Sequence, residues 1–475
     1  MDEPTWTLRI PAPVRAELWS HLFPGDGEEH GAVVLAGVAQ TGDGPCLLAR
    51  EILIARDGTD YVPGKLGYRA LSPDFVRLAA VRARDRGLAY LAVHCHGGAD
   101  HVAFSGTDLN SHIRGYPALL DITRQPVGAL VAARNALAGE LWLPGGEIRA
   151  LAETRVIGEP IEWLHSEPPL TPSVAVAGYD RQVRVFGDRG QELLSHTTVA
   201  IVGLGGLGSI VAEYLGRLGV GRFVLVDGDR IHTANLPRMI AARRSDAAFG
   251  SLAERLGLAW PIARRKTALA ARNIKRANPN ASITIFNSGI EDPRAAMAAA
   301  ACDYIMLAAD SALARHVVNA IVQQYFVPGI EAGVKVRSSN DGTVEDIHVA
   351  IRALMPGQSC LWCAELINAT QLALETTPER ERQAAKYIPD VPAPAVITLN
   401  GIAAGEATTR FLFATVGLTS GLPSQALLRF PRGPELKRQT VSARPDCRWC
   451  GRTSDSNLGR GDSRELPVLR RGAGR

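Results

Sequence analysis

Short apolar runs, closed by Gly, Pro, Asp or a charged residue, recur along the chain: Gly31 to Gly37 (GAVVLAG), Cys46 to Ile54, Ala89 to Val93, Val199 to Val202 and Phe223 to Val226. Such runs predict buried strands. Two stretches show a helical period instead. Phe75, Leu78, Ala79 and Val81 mark a helix within Pro73 to Arg86, and Ile210, Val211, Tyr214, Leu215 and Leu218 mark another after Gly208. From Thr197 to Asp229 the order is therefore strand, glycine loop, helix, strand. Gly203, Gly205 and Gly208 spell G-x-G-x-x-G, with Gly206 inside the loop. Glycines let a backbone approach a ligand at a helix N-terminus, where free N–H groups favour anions. Asp227, ending the second strand, is placed to hold a ribose hydroxyl. This is a nucleotide cradle in an α/β fold, and the glycine pattern alone does not name the nucleotide.

At 475 residues the chain is expected to hold about two or three domains. Patterning divides it into a mixed α/β domain at 1–153, a proline-containing linker at 154–178, a Rossmann-like domain at 179–452 and a Gly/Arg/Ser-rich tail at 453–475 that is expected to be disordered. A formal charge of +4 gives no argument for nucleic acid. No apolar run reaches the ~18 residues of a membrane span, and MDEPTWTLRIP lacks the regions of a signal peptide. The expectation is a cytoplasmic protein with no nucleic-acid or membrane partner. In a reducing compartment, two C-x-x-C pairs read as metal ligands before disulfides.

In the first domain the strand Ala89 to Val93 runs into HCHGGADHVAFSGTD. His94 and His96 are two apart, so on a strand both rings point to one side and can grip one ion. Asp108 follows at a helix start capped by Ser105 or Thr107. Two imidazoles and a carboxylate leave a tetrahedral position open, the pattern of a catalytic zinc. The set His94, His96, Ser105 and Asp108, with Glu28 to Gly31 upstream, resembles the JAB/JAMM metalloisopeptidase family, of MPN-like fold. The resemblance implies zinc on His94, His96 and Asp108, Glu28 as general base and Ser105 at the oxyanion. Glu29 is an equally placed base in sequence, and Gly97 stands where the family usually has proline. His101 and His112 fit no family position and read as solvated.

In the second domain the cradle is followed by Asp229, by Asn235, Leu236 and Arg238, by Lys266 ahead of a helical segment, and by Asp310 at the end of an apolar strand with Arg315 beyond it. A nicotinamide enzyme has no need of this set. Three phosphates and Mg2+ need several cations and a spare carboxylate, which points to ATP. From Tyr179 to Cys450 the chain is similar to the ThiF/MoeB adenylyltransferase family, the core of ubiquitin-activating enzymes. The resemblance implies that Gly205 and its neighbours shape the ATP pocket and that Asp227 holds the ribose. By it Asn235, Arg238 and Lys266 contact phosphates, Asp310 positions Mg2+, and Arg181 reaches into the partner subunit of a homodimer. Pro392, Ala393 and Pro394 would line a channel for a Gly-Gly tail.

Cys360 and Cys363 with Cys447 and Cys450 form two hooks that suit a closed, structural Zn2+ site. The remaining cysteines, Cys46, Cys95 and Cys302, lie outside the region from Asn368 to Ile397, where many members of the family the chain resembles carry an acceptor cysteine, so the resemblance implies an external thiol or sulfur donor as acyl acceptor. The combined expectation is adenylation of the C-terminal glycine of a ubiquitin-like or sulfur-carrier protein, coupled to zinc-dependent processing or deconjugation of the same partner. Conjugating enzymes and sulfur donors are the implied further partners. Two alternatives stay open: sulfur-carrier activation for thio-cofactor or siderophore synthesis, and a binding scaffold with an inactive metal site.

Overall fold

Both faces of the GAVVLAG strand are buried in the computed structural model, which describes every residue except 1–4, 43, 63–68, 169–176, 248–262, 340, 342, 378–393, 420–425 and 470–475. The chain divides into two units: Met1–Thr171 with Gln323–Phe326 and Pro445–Glu465, and Pro172–Val322 with Val327–Arg444 and Leu466–Arg475.

The first unit begins with β1 (Trp6–Pro11), α1 (Ala12–Leu22), β2 (Gly31–Thr41), β3 (Gly44–Ile54), α2 (Pro73–Arg86) and β4 (Ala89–Cys95). It continues with α3 (Gly106–Thr123), β5 (Val127–Ala132), β6 (Leu137–Trp142), β7 (Ile148–Ile157) and β8 (Glu162–Leu164). The sheet order is β1-β3-β2-β4-β5-β6-β7-β8, and β1 also pairs with β7, so the sheet closes on itself. Along β2, Ala32, Val34 and Ala36 pack with Leu8, Leu47, Leu91 and Leu18 of α1. Val33 and Leu35 point the other way, against Phe75 and Ala79 of α2 and Leu119 of α3. That two-sided burial is why the strand shows no apolar–polar alternation. α2 starts where expected, with the Ser72 hydroxyl accepting the Phe75 N–H, and stops at Gly87 with φ +61°. Leu78 faces solvent.

Three expectations change here. Residues 154–157, assigned to the linker, belong to β7 and pair with Leu8 to Pro11 of β1, and β8 extends the sheet further. The proline-rich composition hid a strand whose partner lies near the N-terminus. The tail also has structure: Asn457 to Gly461 are buried and Gly461 bridges to Val38. Its backbone carbonyls satisfy the buried Arg50, so a segment with few apolar side chains still has something to bury. The remainder of the tail, 470–475, lies outside the described residues. His112, read as solvated, is buried and donates its Nδ1–H to Glu140 Oε1 at 3.1 Å while stacking on Tyr116.

The second unit supplies α4 (Asp180–His196), β9 (Thr198–Val202), α5 (Gly206–Leu218), β10 (Arg222–Val226), α6 (Lys266–Ala277), β11 (Ser282–Phe286), α7 (Pro293–Ala300) and β12 (Tyr304–Leu307). In chain order there follow α8 (Ala312–Tyr325), β13 (Gly329–Ser338), β14 (Val344–Leu354), α9 (Ala369–Thr376), α10 (Ile397–Val416), β15 (Ala426–Arg429) and β16 (Leu436–Gln439). The sheet runs β11-β10-β9-β12-β13-β14-β15-β16, parallel through β13 and antiparallel beyond. Strand order reverses between β9 and β12, which opens a crevice at their C-terminal ends. Among the described residues no helix is long and apolar enough to cross a membrane.

Candidate functional site

At that switch point the loop after β9 turns on Gly203, whose φ is +88°. A Cβ there would lie 2.8 Å from the Ala309 backbone nitrogen, so glycine is required for the two loops to meet. A Cβ on Gly208 would collide with the Gly203 carbonyl. Gly205 is the N-cap of α5 and brings no side-chain cap, which leaves the first-turn N–H groups without that partner.

Asp227 leaves the end of β10 and turns back into the loops. Its Oδ2 accepts the Leu204 N–H at 2.7 Å and its Oδ1 accepts the Asp229 N–H at 2.8 Å. Burial pushes its pKa up, against the pull of Lys266 and these two N–H groups. Lys266, at the start of α6, places Nζ 2.6 Å from Asp229 Oδ2 and 3.9 Å from Asp227 Oδ1. Arg238 packs beside Gly206; its backbone N–H donates to the Asn235 carbonyl, and its side chain has no hydrogen-bond or ion-pair partner among the described residues. Asn235 is buried, and its Oδ1 accepts the His232 N–H at 3.0 Å, which shapes the turn that carries Arg238.

A second polar cluster lies in the first unit. β4 pairs His94 with Gly31 of β2, so the loop just before β2 sits beside the two histidines. His94 Nε2 and His96 Nε2 are 3.1 Å apart, and each lies 3.5 Å from an Asp108 carboxylate oxygen. His96 Nδ1 faces the Ala103 carbonyl at 3.1 Å. Ser105 caps α3: its hydroxyl and its N–H both donate to Asp108 Oδ2 at 2.7 Å, and its Oγ accepts the Asp108 N–H. Burial raises the Asp108 pKa, but hydrogen bonds from His94 and Ser105 outweigh it, so the carboxyl is held well below the ordinary range. Glu29 reaches within 4.0 Å of His96 Nε2, and its own pKa is raised by burial. The Glu28 backbone N–H bonds Asp26.

Cys360, Cys363, Cys447 and Cys450 are each buried.

The ThiF family model matches residues 179–447. The chain belongs to the ThiF family. It is similar to molybdopterin-synthase adenylyltransferase of Escherichia coli (strain K12), 32% identical over 194 residues that cover 39% of this chain and 72% of that protein. Ubiquitin-like modifier-activating enzyme 5 of Bombyx mori is 27% identical over 255 residues, covering 50% and 56%. Among solved structures, E. coli MccB with ATP aligns at a TM-score of 0.44 and 19% identity, over 59% of this chain and 75% of that one.

Within the ThiF crevice, Gly203, Gly205, Gly206, Gly208, Asp227, Asp229, Arg238 and Lys266 come together around the start of α5 and the ends of β9 and β10. Asp310 follows β12 with an exposed side chain, and its carbonyl accepts a hydrogen bond from Arg315 at 2.8 Å. Arg315 is itself bound to the buried Glu331 at 2.6 Å. Arg181 is exposed on α4, with no hydrogen bond or ion pair to the crevice among the described residues. Pro392 and Ala393 lie outside the described residues. Cys46, Cys95 and Cys302 are all buried. Sequence reading missed Asn400, in the first turn of α10, which lies against Gly206. No spacing rule reaches it, because α10 is far along the chain and meets α5 only in the fold.

Proposed function

We propose that the ThiF portion adenylates the C-terminal carboxylate of a ubiquitin-like or sulfur-carrier protein. Relatives named molybdopterin-synthase adenylyltransferase, sulfur carrier protein ThiS adenylyltransferase and ubiquitin-like modifier-activating enzyme 5 support this reading. The observation that carries it is the convergence of Lys266, Asp227, Asp229 and Arg238 on the N-terminus of α5. A carrier carboxylate oxygen attacks the α-phosphorus of ATP, the bond from that phosphorus to the bridging oxygen of the β-phosphate breaks, and pyrophosphate leaves. Catalysis is positioning and charge neutralisation: Lys266 and Arg238 meet the phosphates, and Asp227 holds the ribose. Asp310 would hold Mg2+, which supplies further neutralisation. Arg181 acts across a homodimer. The burial of Cys46, Cys95 and Cys302 favours an external acceptor, a conjugating enzyme or a sulfur donor, and a sulfur-carrier route is the second reading this supports.

The first unit we read as a JAB/JAMM-like zinc metallopeptidase acting on the same partner. The donor set fits the metal: tetrahedral zinc with Zn–N near ~2.0 Å puts ligand atoms about 3.3 Å apart, close to the 3.1 and 3.5 Å separations among His94, His96 and Asp108. His96 Nδ1 on a carbonyl fixes which nitrogen faces the ion. Zinc in this set supplies Lewis acidity and lowers the pKa of a bound water. Glu29, in preference to Glu28, is the carboxylate in reach to hold that water's proton. Ser105 orients Asp108. Cys360, Cys363, Cys447 and Cys450 hold a second, structural zinc.

The test is the intact mass of a ubiquitin-like protein encoded beside this chain after incubation with enzyme, ATP, Mg2+ and Zn2+. The reading requires AMP addition that Asp310→Ala abolishes and loss of a C-terminal peptide that Glu29→Ala abolishes. Trimming without AMP addition would remove the adenylation half, and AMP addition without trimming would remove the maturation half.

A further inference from the structure

We propose that Asn400 is a ligand-contacting residue of the ThiF crevice, its side-chain amide donating to a nucleotide phosphate held at the N-terminus of α5. The inference rests on the adenylation reading and adds to it a contact from a different part of the fold.

Asn400 lies in the first turn of α10 and is 6% exposed. Its backbone N–H is used within α10, on the Val396 carbonyl. Its side chain has no hydrogen-bond partner among the described residues. The amide lies directly over the start of α5: a Cβ on Gly206 would lie 2.5 Å from Asn400 Nδ2 and 3.3 Å from Arg238 Cγ. Glycine at 206 is thus what lets the two polar side chains close over the helix end. The Arg238 side chain is likewise without a partner among the described residues, and α5 brings no side-chain cap of its own.

Two sources of donors therefore meet at one spot, the first-turn N–H groups of α5 and the Asn400 amide, with the stem of Arg238 beside them. A buried amide is normally paired. Asn400 Nδ2 is a donor, so a ligand that pairs with it at this spot brings an acceptor. A helix N-terminus favours an anion, an amide donor beside it suits one with more than one oxygen, and a phosphate fits that chemistry. Asn400 adds a neutral donor that contacts the phosphate without adding charge to be balanced when the crevice is empty.

The experiment measures binding of α,β-methylene ATP and of adenosine to the full chain by calorimetry, for the native protein, Asn400→Leu and Asn400→Asp. The leucine is close in size and cannot donate. The expected result is about a tenfold loss of affinity for the nucleotide analogue in Asn400→Leu, the scale of one hydrogen bond to a charged group, with adenosine binding unchanged. Asn400→Asp is expected to lose more, because a carboxylate would face the phosphate. Native affinity for the analogue in Asn400→Leu would overturn the inference and leave the adenylation reading intact. Equal losses for analogue and adenosine would also overturn it, because they would mark a deformed pocket. A native protein that binds neither would sink the adenylation reading itself.

Discussion

Lys266 Nζ is held 2.6 Å from Asp229 Oδ2, so the cation assigned to the polyphosphate is already fixed by a carboxylate at the rim of the crevice. Asp229 is largely exposed while Lys266 is 12% exposed, so the pair is anchored from the lysine side. The ammonium also opposes the burial that raises the pKa of Asp227. Lys266→Ala is therefore expected to slow carrier-dependent ATP–pyrophosphate exchange by about a hundredfold, the scale of losing one preorganised charge. The nucleotide affinity should fall by less. An exchange rate within twofold of native would show that Lys266 serves only to hold Asp229.

Metal content separates the two proposed zinc sites. The native chain should carry two zinc ions by mass spectrometry of the folded protein. His96→Ala removes a ring whose nitrogen lies 3.1 Å from the other ligand nitrogen and should leave one zinc with little change in thermal midpoint. Cys360→Ser should also leave one zinc, but with a clearly lowered midpoint, because a structural site contributes to folding. Two zinc ions retained in His96→Ala would remove the catalytic assignment.

The parts of this molecule that were legible in sequence are those with local periodicity or short-range chemistry. The β9–α5–β10 unit announces itself through Gly203, Gly205 and Gly208, since each glycine answers a backbone constraint within a few residues. His94, His96, Ser105 and Asp108 were legible for the same reason: a strand and a capped helix set their directions. Glu28 and Glu29 could not be separated, because the loop before β2 has no period from which to read a direction. Asn400 and the docking of the tail were hidden because the residues they lie against are far away in the chain and the groups concerned are polar. Hydrophobic patterning reports what faces a core; it is silent on which backbone carbonyls a buried arginine will meet.

Arg50 is that arginine. Its NH2 donates to the carbonyls of Thr453 at 2.7 Å and Ser454 at 3.3 Å, and its NH1 donates to the carbonyls of Ser456 and Leu458. Burial, with Arg460 next in effect, pulls its pKa down to about 10, so it stays charged at neutral pH. Arg50→Met keeps the apolar stem and leaves these carbonyls without their donor. A loss of about 3 kcal/mol in stability is expected, with new protease cleavage between 453 and 465. An uncut segment at native stability would mean that Gln324 and the Val38–Gly461 bridge suffice to hold it.

Asp246 gives the ThiF portion a defined acid limit. Its side chain is 3% exposed, and it accepts hydrogen bonds from Arg264 at 2.7 Å, from Arg272 at 2.9 and 3.0 Å, and from the Arg243 N–H at 2.9 Å. Burial alone would raise its pKa, but Arg272, the Arg243 N–H and Arg264 together bring it down to about 2. A carboxyl whose folded pKa lies below its unfolded value of about 3.9 favours folding above that value. Its contribution is lost as pH falls from about 4 through about 2. Asp246→Asn should therefore be less stable than native by about 2–3 kcal/mol at pH 6, on the scale of hydrogen bonds to charged groups. The gap should narrow towards pH 2, where the native carboxyl is itself becoming protonated. Denaturant titrations at pH 6, 4 and 2.5 measure it, and a gap that stays constant across that range would show that geometry at this site, and not the charge of Asp246, holds the two arginines.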